Sequence, residues 1–222
     1  MQINKNGGIY LSFLVFFEKG DEDLRRLARI MSFVVVFTLL VASVALAETI
    51  RCTNTECVGT NEADVINGND EDQNFDARAG NDIIFAGGGI DTIEGDEGDD
   101  EIFGEEGDDT IFGGDGVDMI EGNEGIDTIF GGNGADTIEG NEDNDRIDGQ
   151  AGSDTVDGGN GDDRINDLAG DDRDTLFGNA GNDRLNDADG GGRDIIRGGT
   201  GDDVCIGDRR DEFRGCEVER IR

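Results

Sequence analysis

The residues of this chain best suited to chemistry are aspartates, and they return at a fixed interval. From Gly59 to Asn166 the sequence repeats every nine residues through twelve units, as in Gly113-Gly114-Asp115-Gly116-Val117-Asp118-Met119-Ile120-Glu121. Four more units follow, of eleven residues at 167–177 and 187–197 and nine at 178–186 and 198–206. Fifteen of the sixteen place Asp two residues before an apolar residue or Cys, the sixth position of a nine-residue unit; Gln73 is the exception. Nine units also carry Gly at the first and fourth positions. Carboxylates beside carbonyls that glycine leaves exposed form an all-oxygen donor set, the kind a hard divalent cation takes. Calcium accepts 6–8 oxygens in flexible geometry, whereas magnesium demands a tight octahedron and keeps its waters. Calcium is therefore the expected ion.

Composition removes most other chemistries. The chain has 222 residues, with 54 acidic against 18 basic, 38 Gly, and no His, Pro or Trp. Without His, neither a Ser-His-Asp triad nor a His-bearing zinc site can be built. A net charge of −36 excludes nucleic acid as a partner, because phosphate binding needs clustered Lys and Arg. Acidic residues could serve as a glycosidase-like pair, but here they recur uniformly and no pair is singled out, so no enzyme is expected. Acid-rich, aromatic-poor chains are usually disordered. The strict period argues for order.

The period also dictates what must position the aspartates. Each unit divides into a six-residue Gly/Asp-rich turn and a three-residue strand whose central residue, Ile111 or Ile129 for example, points opposite to its neighbours. Gly in the turn permits positive φ and close backbone approach. Two units make one coil of 18 residues, and the sixteen units make eight coils. Their strands stack as two parallel sheets facing each other, in a rod roughly 40 Å long at ~4.8 Å per coil. One inward apolar residue in nine is a thin core for so acidic a chain. The turns need cations.

The pattern Gly-Gly-x-Gly-x-Asp-x-apolar-x resembles the calcium-binding nonapeptide repeat of the RTX (haemolysin-type) family. The resemblance spans 59–206 and implies an all-β, right-handed parallel β-roll, a two-sheet solenoid of sixteen half-turns. It also implies that turn carbonyls and the sixth-position Asp of one unit hold calcium with the next turn on the same edge. Asp82, Asp100, Asp118, Asp136, Asp154, Asp174 and Asp194 would then bind along one edge. Asp91, Asp109, Asp127, Asp145, Asp163, Asp183 and Asp203 would bind along the other. The carbonyls would be those of Gly113, Asp115 and Gly116 and their equivalents. These are Gly95, Gly98, Gly104, Gly107, Gly122, Gly125, Gly131, Asn133, Gly134, Gly149, Gly152, Gly158, Asn160, Gly161, Gly178, Gly181, Gly198 and Gly201. Seven gaps on each edge set a ceiling of about 14 ions. Glu62, Glu71 and Asp143 stand where the fourth-position Gly is expected, and with Gln73 they predict weak binding in the first two turns.

The ends read differently. Arg25, Arg26 and Arg29 precede an apolar run, Phe33 to Leu46, that closes on Ala45-Leu46-Ala47. That order marks 1–47 as a signal peptide cleaved before Glu48, with a true start later than Met1. The run is too short for a comfortable transmembrane helix, so no span is expected in the mature chain. Residues 48–222 keep 50 acidic and 13 basic residues, a net −37, and no Lys. Cys52/Cys57 and Cys205/Cys216 form two local pairs at opposite ends of the array. In an exported protein such pairs read as disulfides, and a shared zinc site would lack His. They would anchor an N-terminal cap at 48–58 and a C-terminal cap at 207–222, whose arginines would cover the acidic rod. By unit parity Phe85 and Phe103 neighbour each other on one sheet, Phe112 and Phe130 on the other. The expected function is a secreted, extracellular, non-catalytic calcium-binding β-roll. The second reading is an adhesion module contacting a cell-surface or matrix polymer.

Overall fold

Residues 18 apart in the sequence lie side by side in space, and that single register builds the fold. The structure, a computed structural model, describes residues 2–3, 9–10, 47–169, 173–188 and 190–221, of which 2–3, 9–10 and 218–221 by backbone only. The chain divides into two compact units, Met1–Val44 and Ala45–Arg222. In the first, Gln2–Ile3 pairs antiparallel with Ile9–Tyr10. The arginines, the apolar run and the alternative start expected within 1–47 lie outside the described residues, apart from Ala47.

The second unit is two ten-stranded parallel sheets. One runs from Glu48–Arg51 to Glu212–Arg214 and the other from Glu56–Val58 to Val218–Ile221, with successive strands alternating between them. The described residues contain no helix, and no helix long and apolar enough to cross a membrane. Ile111 pairs with Ile129, and Ile129 with Ile147, 18 residues apart. Across the eleven-residue units the step becomes 20, Thr155 to Thr175 to Ile195, so the two extra residues are absorbed outside the strands. The inward column from Ile66 through Ile129 to Cys205 is buried throughout, at 2 % exposure or less.

Two expectations are corrected here. Most strands have six residues, not three, as in Thr110–Asp115 and Thr128–Asn133, while Asn74–Asp76 and Arg164–Asn166 keep three. Both Ile111 and Gly113 point inward, because the first-position glycine continues the alternation of the strand. The units alone count eight coils, yet each sheet has ten strands because both caps pair with it. Open coil ends would leave unpaired strand edges, and the caps cover them.

Glycine is needed for two separate reasons. At the fourth position it takes φ that other residues avoid, +141° at Gly134. A Cβ there would also overlap the carbonyl oxygen of Gly116 one coil away. Gly134→Ala should therefore lose more stability than Gly190→Ala, where φ is +93° but nothing lies within 4 Å of the added carbon. Gly190→Ala should lose the ~1–2 kcal/mol of backbone strain alone. Urea midpoints in saturating calcium would test the order; equal losses would refute it.

The disulfides Cys52–Cys57 and Cys205–Cys216 are both formed, one near each end. Outside the core, Phe85 stacks on Phe103 at 5.0 Å between ring centroids, and Phe112 on Phe130 at 5.1 Å. Phe177 takes the Arg197 guanidinium over its face at 5.3 Å.

Candidate metal centre

The turns carry the sixth-position aspartates inward, and the stacking of coils lines them up. From Asp64 to Asp203 all fifteen are at most 3 % exposed. Along one edge each backbone N–H donates to Oδ1 of the Asp one coil further on: Asp82 to Asp100 at 2.8 Å, Asp100 to Asp118 at 2.9 Å, Asp118 to Asp136 at 2.9 Å. The other edge repeats it, Asp91 to Asp109 and Asp109 to Asp127 at 2.8 Å, Asp127 to Asp145 at 2.9 Å. The second oxygen is treated differently. Oδ2 of Asp100, Asp109, Asp118, Asp127, Asp136, Asp145, Asp163, Asp183 and Asp203 is buried with no hydrogen-bond partner. A buried, unpaired carboxylate oxygen is costly unless a cation meets it.

The first-position glycines make room for that oxygen. A Cβ on Gly104 would sit 2.7 Å from Asp109 Oδ2 and 2.8 Å from the carbonyl oxygen of Gly122 one coil on. On Gly131 it would meet Asp136 Oδ2 at 2.7 Å and the Gly149 carbonyl at 2.5 Å. These glycines do not have positive φ. Their role is close approach, so that a carboxylate oxygen and a carbonyl oxygen converge on one notch. Of the carbonyls assigned by resemblance, Gly113, Gly122, Gly131, Gly149, Gly158 and Gly198 face such notches. Asp115 O and Asn133 O each accept a glycine N–H from the preceding coil, from Gly98 and Gly116 at 2.8 Å. The donor set is all oxygen, and each column places one carboxylate per coil. It fits calcium, which the sixth-position aspartates and the converging carbonyls would hold.

Electrostatics agree. Burial, and then the like charges of column neighbours, push the metal-free carboxyls upward despite the backbone N–H that each accepts. Asp100 and Asp109 rise to about 7 and Asp145 to about 8. A group raised in the fold stabilises it below the unfolded value near 3.9, and that stability is lost as pH climbs through the folded value. In chelator, lowering the pH from about 8 to about 4 should therefore restore β-structure, read by circular dichroism. Metal-free protein equally unstructured at both pH values would contradict this.

Both columns end in groups that the nine-residue pattern does not reveal. Asp211 Oδ1 accepts the Asp194 N–H at 3.3 Å, and Glu217 Oε2 accepts that of Asp203 at 2.5 Å. The cap thus continues the columns with carboxylates. Among the cap's described arginine side chains, Arg209 and Arg210 are exposed and Arg214 pairs with Glu212. At the opposite end Gln73 replaces a carboxylate with an amide that accepts from Asn69 N–H at 2.8 Å and donates to Asn54 O at 2.5 Å. Asp64 Oδ2 is satisfied by Thr60, whose N–H and Oγ1 donate at 2.7 and 2.9 Å. Gln73 pairs an oxygen that elsewhere stays free, whereas Asp64 keeps one partnerless oxygen, its Oδ1.

Sequence reasoning also missed Asp167 and Asp187, which occupy the first position of the two eleven-residue units. Asp167 is 1 % exposed, and burial together with Asp174, Asp154, Asp187 and Asp148 drives its carboxyl to about 10. Their signal was present as the loss of Gly at that position. A third acidic set lies on the rim: Asp108 Oδ1 accepts Ile126 N–H at 2.9 Å and Asp99 Oδ1 accepts Val117 N–H at 2.9 Å, all exposed.

No curated protein matches the chain. A family model, that of the RTX calcium-binding nonapeptide repeat in four copies, matches residues 58–93, 85–120, 94–129, 121–156, 130–165, 157–186 and 188–209. These matches cover well over half of the chain, on the same coils that carry the two aspartate columns, so the chain belongs to the RTX calcium-binding nonapeptide repeat family.

Proposed function

We propose that this protein is an exported, non-catalytic calcium-binding β-roll that folds when it meets extracellular calcium. The observation that carries this reading is the pair of buried aspartate columns whose Oδ2 atoms lack partners at coil after coil. The uniformity of the columns supports a structural rather than a catalytic use, since no carboxylate pair is set apart in a cleft. Affinity should suit the exterior, with Kd of ~10⁻⁴–10⁻³ M. Equilibrium dialysis against calcium in excess magnesium tests it: many ions per chain are expected, up to about 14, and one or none would overturn it. For export, N-terminal sequencing of secreted protein should begin at Glu48.

A second reading rests on the aromatic pairs. Phe112, 38 % exposed, and Phe130 stack on the outer face of the second sheet. An adhesion module would use such a surface against a cell-surface or matrix polymer. Pull-down on polysaccharide, lost in Phe112→Ala with calcium uptake unchanged, would favour it.

A further inference from the structure

Near the C-terminal end of one column the ligand geometry changes. Asp167 and Asp187 stand where Gly149, Gly131 and Gly113 stand in earlier coils, and they fill the notch with a second carboxylate. One carboxylate oxygen from each of Asp154, Asp167 and Asp174 lies within 4.8 Å of the other two, and the same holds for Asp174, Asp187 and Asp194. Oxygens so spaced can be bridged by an ion with bonds of 2.3–2.6 Å. All five residues are buried. Neither oxygen of Asp167 has a hydrogen-bond partner, and a Cβ on Gly149 would lie 2.5 Å from Asp167 Oδ2 and 2.8 Å from Asp154 Oδ2. The side chain is aimed at its neighbour's carboxylate with nothing to hold it there but a cation.

We infer that Asp154, Asp167, Asp174, Asp187 and Asp194 form a pair of linked side-chain calcium sites, with Asp174 shared, distinct from the turn sites of the repeat and filled before them. The inference rests on the columns taking calcium, because Asp154, Asp174 and Asp194 belong to one of them. An ordinary coil supplies one column carboxylate per ion. Here five carboxylates surround two ions, leaving a net −1, and affinity rises with the charge of the ligands. The two ions should bind at a calcium concentration lower by about tenfold or more than the rest. Formed early, they would hold three consecutive coils together beside the cap, where stacked repeats can nucleate.

Isothermal titration of the full chain with calcium tests this, with circular dichroism recorded in parallel. The wild type should show two early ions followed by the cooperative remainder. Asp167→Gly, which restores the residue used by the other coils, should remove at least one early ion and leave the later transition in place. Asp167→Asn keeps the shape and removes the charge; it should do the same, and it decides the matter if the glycine variant does not reach the wild-type spectrum in saturating calcium. A single class of ions in the wild type, unchanged in either variant, overturns the side-chain sites and leaves the repeat array standing. No calcium uptake by the wild type would overturn both.

Discussion

Removing calcium with excess chelator at neutral pH is expected to abolish the two parallel sheets and expand the chain. The repeat unit carries one inward apolar residue in nine, a core too thin to offset the ordering of its turns. Against it stand two columns of buried carboxylates, one rung per coil, whose Oδ2 atoms would face each other's charge in the absence of metal. With about 14 ions bound, the −37 of residues 48–222 falls to about −9. Metal binding is then folding free energy, as in small domains that have no formed site before the metal arrives. Circular dichroism should show β-structure lost in chelator and regained cooperatively on adding calcium, with a matching contraction in small-angle scattering. A compact, β-rich protein in chelator at neutral pH would refute the argument.

Asp118→Ala should raise the calcium needed for folding, while Asp108→Ala, in the preceding coil, should scarcely move it. Asp118 is buried mid-column, accepts the Asp100 N–H, and carries a partnerless Oδ2. Its loss would affect the gaps on both sides, toward Asp100 and toward Asp136. At tenfold calcium over Kd each ion lost removes about 1.4 kcal/mol, and the orphaned N–H adds to that. A loss of ~2–4 kcal/mol is expected, spread over neighbouring coils because they share ions. Asp108 lies exposed on the rim and accepts one N–H, from Ile126, which water can satisfy instead. Its replacement should stay within about 1 kcal/mol. Equal effects would mean that the negative charge acts diffusely and that the columns hold no specific ions.

Much of this could be read from the sequence because each feature repeats with the coil. A nine-residue period with one apolar residue per unit places that residue inward, and two units per coil sort Asp100 and Asp118 to one edge, Asp109 and Asp127 to the other. The same parity pairs Phe85 with Phe103 and Phe112 with Phe130, as found. Local spacing was also enough for Cys52–Cys57 and Cys205–Cys216.

Tertiary structure decided whatever depends on contact between different positions of the repeat. The first-position glycine looked like a turn residue, yet it lies in a strand and leaves space for a carboxylate oxygen five residues on. Asp167 and Asp187 gained a role only when the coils brought each beside two column carboxylates. Asp211 and Glu217 obey no period, and only the folding back of the disulfide-anchored tail sets them at the column ends. The physical reason is the same in each case. Period encodes which residues stack on their own equivalents one coil away, whereas side chains meeting across unlike positions depend on the exact path of the turn, and that path exists only once the coils are packed.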